Sequence, residues 1–72
     1  MNDSLKKTMT LNLTAREMAV LEELAAKKEL SKTAVMRLAL RLLQAVDAKE
    51  QLGQKLYTED ELTKDKSELV LL

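Results

Sequence analysis

Residues 6–14 read Lys6-Lys7-Thr8-Met9-Thr10-Leu11-Asn12-Leu13-Thr14, the one stretch of the chain that alternates cleanly between polar and apolar side chains. A period of two is the pattern of a half-buried strand. It predicts a strand at about Thr8 to Leu13, with Met9, Leu11 and Leu13 on one face and Lys6, Thr8, Thr10 and Asn12 on the other. A lone strand leaves a row of backbone N–H and C=O groups without partners. No second strand of comparable quality lies near it in the sequence, so the expected partner is the same strand of another copy. Two identical strands related by a two-fold axis run antiparallel and form a two-stranded ribbon.

The rest of the composition also points toward an oligomer. Seventy-two residues make one small domain, and such domains are marginal without a staple or added burial between copies. The chain has no Cys and no His. A disulfide framework, a thiolate or imidazole metal site and a Ser-His or Cys-His catalytic pair are therefore excluded. With a single Gly there is no glycine-rich phosphate loop, so an enzyme is the least favoured class and no cofactor is expected. The longest apolar run is a few residues, against roughly 20 for a membrane span. No membrane partner is expected, and a cytoplasmic location follows.

Outward from the alternating stretch, the next signals are helical. Thr14-Ala15-Arg16-Glu17 fits a capping box, and Leu13 with Met18 fits a hydrophobic staple. Met18, Leu21, Leu24 and Ala25 then recur at helical spacing, giving a first helix that ends near Lys28. Ser31 caps a second helix, with Leu30 and Val35 repeating the staple. Val35, Leu38, Ala39, Leu42, Leu43 and Val46 form its apolar face, and Gly53 marks its stop.

Net charge is zero, but it is divided unevenly along the chain. Residues 1–46 hold eight Lys and Arg against five acids, a balance of +3, and residues 47–72 hold four against seven, a balance of −3. A basic half is compatible with a polyanionic partner, and equally with a solvated surface. The acidic segment ends in Leu69-Val70-Leu71-Leu72 and has one aromatic residue, Tyr57. Such composition favours disorder over a weak hairpin. Residues 1–5 thus read as a flexible arm, 6–52 as the folded domain, and 53–72 as an acidic tail, flexible or weakly structured.

The order of strand, capped helix, short loop and N-capped helix, with Thr8-Met9-Thr10-Leu11-Asn12-Leu13, the Thr14 cap and Leu30-Ser31-Lys32-Thr33-Ala34-Val35, resembles the ribbon-helix-helix family of bacterial and archaeal DNA-binding regulators. The similarity is closest to its small plasmid-repressor and antitoxin members, and it covers Lys6 to about Val46. The resemblance implies a mainly α, intertwined homodimer with an antiparallel intermolecular ribbon and four helices. It implies double-stranded DNA as partner and higher-order assembly on DNA as an option. The ribbon would lie in the major groove, with Thr8, Thr10 and Asn12 contacting bases. Ser31, Lys32 and Thr33 would grip phosphates at the start of the second helix, with Lys6 and Lys7 flanking the ribbon. Met9, Leu11, Leu13, Met18, Leu21, Leu24, Val35, Leu38 and Leu42 would fill the dimer core.

Physical chemistry is compatible with these roles without requiring them. The major groove admits a two-stranded ribbon, and an Asn amide presents a donor and an acceptor to an adenine edge. A helix N-terminus is a ready anion site. Thr is also enriched in strands for backbone reasons alone, and Ser31 would cap its helix in any fold. Arg37 and Arg41 lie one turn apart, a spacing that serves carboxylates as well as phosphates. Two features depart from the family pattern: the three central outward strand residues are neutral, and Glu29 stands where a Gly is common. The functional expectation is a transcriptional repressor. The alternative is an antitoxin whose tail, through Leu56, Tyr57, Leu62 and Leu69 to Leu72, folds on a toxin. A purely structural helical dimer would have no need of an exposed strand. The charge division further predicts that residues 1–52 bind DNA without the tail.

Overall fold

Two capped helices and a small hairpin carry the fold. The computed structural model describes residues 5–70. In chain order these form α1 (Ala15–Lys28), α2 (Lys32–Gln51), β1 (Tyr57–Glu59) and β2 (Lys66–Glu68). The arm read at 1–5 lies outside the described residues except for Leu5.

Both helix starts are set by the side chains that the sequence offers for them. At α1, the Glu17 N–H donates to Thr14 Oγ1 at 3.1 Å and the Thr14 N–H donates to Glu17 Oε1 at 2.9 Å. At α2, the Ala34 N–H donates to Ser31 Oγ at 3.0 Å. Each bond satisfies a donor that the first helical turn would otherwise leave without a partner.

Both helices also end the same way, by a Schellman closure in which the chain turns through a left-handed residue. After α1 the Leu30 N–H reaches Ala25 O at 3.0 Å and the Glu29 N–H reaches Ala26 O at 3.3 Å. After α2 the Gln54 N–H reaches Lys49 O at 3.1 Å and the Gly53 N–H reaches Glu50 O at 2.9 Å. The left-handed residue is Gly53 at φ 80° in one case and Glu29 at φ 54° in the other. Glycine adopts this conformation freely, whereas a residue with a Cβ is strained there. The three residues Glu29, Leu30 and Ser31 suffice to reverse the chain between α1 and α2.

The core of a single chain is thin. Only Leu21 of α1 and Val35 and Val46 of α2 are buried among the described residues, with Leu13, Ala25, Ala34 and Leu56 partly covered. The radius of gyration is 15.7 Å, against about 11 Å for a compact chain of this length. Of the side chains expected in a dimer core, Leu21 and Val35 are covered within one chain, while Met9, Leu11, Met18, Leu24, Leu38 and Leu42 are exposed.

Leu5 to Leu13 forms neither helix nor strand in the single chain. Strand structure requires a ladder partner, and none of the described residues supplies one to this segment. The strand expected at Thr8 to Leu13 therefore appears as an unpaired run leading straight into the Thr14 cap.

In the tail the described residues form the hairpin that composition ranked below disorder. β1 and β2 pair antiparallel, with Tyr57 opposite Glu68, Thr58 opposite Ser67 and Glu59 opposite Lys66. The Leu69 N–H donates to Leu56 O at 2.8 Å, extending the pairing by one step. Asp60 organises the connection. Its Oδ1 accepts from the Leu62 and Thr63 N–H groups at 2.9 and 3.0 Å, and its own N–H donates to Asp65 O at 2.8 Å. Composition argued for disorder because it counts charges. Here the charges ring the turn, while Leu56 and Leu69 face the apolar side of α2 across a groove.

Candidate nucleic-acid interface

The candidate residues fall into two groups, one on the unpaired run before α1 and one at the start of α2. Lys6, Lys7, Thr8, Thr10 and Asn12 are all exposed and lie within one seven-residue segment. Extended chain advances about 3.3 Å per residue, so side chains two apart along such a segment are about 6.6 Å apart, roughly two base-pair steps of B-DNA. Met9 is 80% and Leu11 51% exposed, so the alternate set has no apolar surface to cover it within one chain. A polar row backed by an uncovered apolar row is what a ribbon half carries before it pairs.

The second group sits at a helix end with a distinct electrostatic character. Ser31, Lys32 and Thr33 are exposed at the N-terminus of α2. Ser31 Oγ accepts the Ala34 N–H, and its O–H remains able to donate. The N–H groups of Lys32 and Thr33 belong to the first turn, which has no intrahelical acceptors for them. The first turn of α2 has no acidic residue, whereas that of α1 has Glu17. The Thr14 backbone N–H, and then its hydroxyl, hold the Glu17 carboxyl below its ordinary range. The positive end of α1 is thus occupied by the chain's own carboxylate. The positive end of α2 is open and carries Lys32 beside it.

Arg37 and Arg41 make no ion pair among the described residues, where the two pairs are Lys27 with Glu23 and Lys55 with Glu68. The basic N-terminal half of α2 is therefore uncompensated within one chain.

Sequence patterning passed over one feature. Val20, Met36 and Leu40 lie outside the expected stripes yet are apolar and exposed, Leu40 at 70%. They widen the apolar arcs of α1 and α2 beyond what one neighbouring helix covers. The hairpin was the alternative that composition ranked below disorder. Its sequence signal is the pair of short runs Leu56-Tyr57-Thr58 and Ser67-Glu68-Leu69 on either side of Asp60 to Asp65, which contains no Gly to announce a turn.

No protein-family model, curated protein or solved structure matches the chain. Among the described residues, no helix is long and apolar enough to cross a membrane.

Proposed function

We propose that the chain is a sequence-specific DNA-binding repressor that acts as a homodimer and reads the major groove with a ribbon made from residues 6–13 of two copies. The observation that supports this most directly is the unpaired alternating run. It has no ladder partner among the described residues, exposes Met9 and Leu11, and is joined without a linker to the Thr14 cap of α1. A second copy supplies both missing items at once: hydrogen-bond partners for the backbone and cover for the apolar row. The outward row of Thr8, Thr10 and Asn12 then faces the base edges, and the acid-free N-termini of the two α2 helices face phosphates.

The direct test is a gel-shift titration of the full chain against the DNA upstream of its own reading frame, with random DNA as competitor. Retarded operator complexes that survive competitor support the reading, and equal loss of both complexes defeats base-specific recognition. The antitoxin reading gains one supporting observation, the folded hairpin, which presents Tyr57 and Leu62 to solvent. Co-purification of the untagged product of a neighbouring gene with the tagged chain separates it from a repressor acting alone.

A further inference from the structure

Between the C-terminal half of α2 and the tail hairpin lies a groove of about 530 Å³, walled by Ala39, Leu42, Leu43 and Val46 on the helix and by Leu56 and Leu69 on the hairpin. Its floor is the continuation of the α2 face, and Val46 is its one buried side chain. We propose that this groove receives the N-terminal half of α2 from a second copy, so that the tail hairpin is part of the dimer interface. The inference rests on the homodimer reading and adds a seat for one specific segment of the partner.

The occupant is identified first by charge. From Lys32 to Arg41, α2 carries three basic residues and no acid, while from Leu42 to Gln51 it carries Asp47 and Glu50 against Lys49. The groove rim repeats the acidic excess, with Glu50 and Glu68 against Lys55, which is already paired with Glu68 at 3.4 Å. A two-fold axis across the middle of α2 sets two copies antiparallel, basic half against acidic half. Arg37 and Arg41, which make no ion pair among the described residues, then approach the rim of the partner's groove.

The apolar surface agrees. Leu38 and Leu42 are exposed on α2, Leu42 at 62%, and the same stripe runs without interruption into the groove at Val46. Antiparallel pairing about Leu42 places the exposed Leu38 of one copy opposite Val46 of the other, which covers Leu38. With only Leu21, Val35 and Val46 buried among the described residues, the helices need cover of this extent to order at all. The hairpin matters because α1 is 14 residues long and α2 is 20, so α1 reaches along only part of α2. Leu56 and Leu69 wall the part beyond it. On this account the tail is not separable from DNA binding, contrary to the expectation drawn from its charge.

The test uses full-length chain in a one-to-one mixture of isotope-labelled and unlabelled copies, with an isotope-filtered NOE experiment that reports only methyl contacts between copies. Contacts from the Leu56 and Leu69 methyls of one copy to the Val35 and Leu38 methyls of the other are expected. If contacts around Leu11 cross between copies but those of Leu56 and Leu69 stay within one chain, the groove proposal is overturned and the homodimer reading stands. If no contact crosses between copies, both fall. Contacts in the groove from Leu71 or Leu72 of the same chain in place of the partner also overturn the proposal. A second measurement is the dimer dissociation constant of Leu69→Gln by sedimentation, expected to rise about tenfold or more with the helical circular dichroism retained at high concentration. An unchanged constant overturns the proposal.

Discussion

Thr14 and Glu17 hold each other in a closed pair of hydrogen bonds, each backbone N–H donating to the other's side chain, at 2.9 and 3.1 Å. The carboxyl of Glu17 is held below its ordinary value of 4.5, chiefly by the Thr14 backbone N–H and then by its hydroxyl. A carboxyl whose folded value is depressed stabilises the fold above its unfolded value, and that contribution is lost as pH falls through the folded value. The midpoint of thermal unfolding, measured at fixed protein concentration, should therefore fall as pH drops below about 4.5. In Glu17→Gln this part of the fall should be smaller, because the amide still accepts the bond and does not titrate. Equal pH dependence in both proteins would show that the cap does not carry the effect.

The left-handed residues that close the two helices make a paired prediction. Glu29 at φ 54° and Gly53 at φ 80° close their helices through the same hydrogen bonds but with different residues. Glu29→Gly should stabilise by about 0.5–1 kcal/mol, the relief of Cβ strain less the added freedom of the unfolded chain. Gly53→Ala should destabilise by about 1 kcal/mol. A Cβ at Gly53 would meet nothing within 4 Å, so the loss would be a backbone effect alone. Urea unfolding of the two variants checks both signs.

Asn12 and Lys32 should fail in different ways. Asn12→Ala should cost about 1–3 kcal/mol on the preferred operator and relax discrimination at one or two base positions, with the salt slope almost unchanged. Lys32→Ala should weaken operator and random DNA alike and lower the salt slope by about one per contact. Both side chains are exposed, so neither change should unfold the chain. Binding to operator and random DNA across a salt series decides. Equal weakening on both DNAs in Asn12→Ala would remove Asn12 from the base-reading row.

Asp60 offers a handle on the tail alone. Its carboxyl is held below the ordinary range by the Thr63 and then the Leu62 backbone N–H. Asp60→Asn keeps an acceptor for both and should retain the hairpin, whereas Asp60→Ala removes it and should free the turn. Amide hydrogen exchange at Leu69, which donates to Leu56 O, should accelerate in Asp60→Ala and change little in Asp60→Asn. Acceleration in neither would mean that packing on α2, rather than the turn, holds the hairpin.

How far the sequence could be read depended on the range of the interactions involved. Thr14, Glu17 and Ser31 bond to neighbours three residues away, so four-letter patterns sufficed to place both helix starts. The stop at Gly53 was legible for the same reason. Glu29 was legible as a tension, a left-handed position without glycine, and the chain adopts that conformation there. The hairpin was legible only as a weak alternative to disorder, because its paired residues lie seven to eleven apart and its turn is made by an Asp side chain in place of a Gly pair. The groove was beyond reach entirely, since it depends on where that hairpin lies against Leu43 and Val46. Of the candidate site, the helix-end residues follow from local capping. The strand residues follow only from what a second copy would do to them.

The thinness of the single-chain core has a kinetic consequence. If Leu21, Val35 and Val46 are all that one chain can bury, the step that commits a chain to its fold is an encounter, and folding becomes second order in concentration. Halving the amount of chain would then quarter the rate of productive assembly. Chains released side by side from one message would mature faster than the same number scattered through the cell, and a scarce chain would spend more of its life open to proteases than an abundant one.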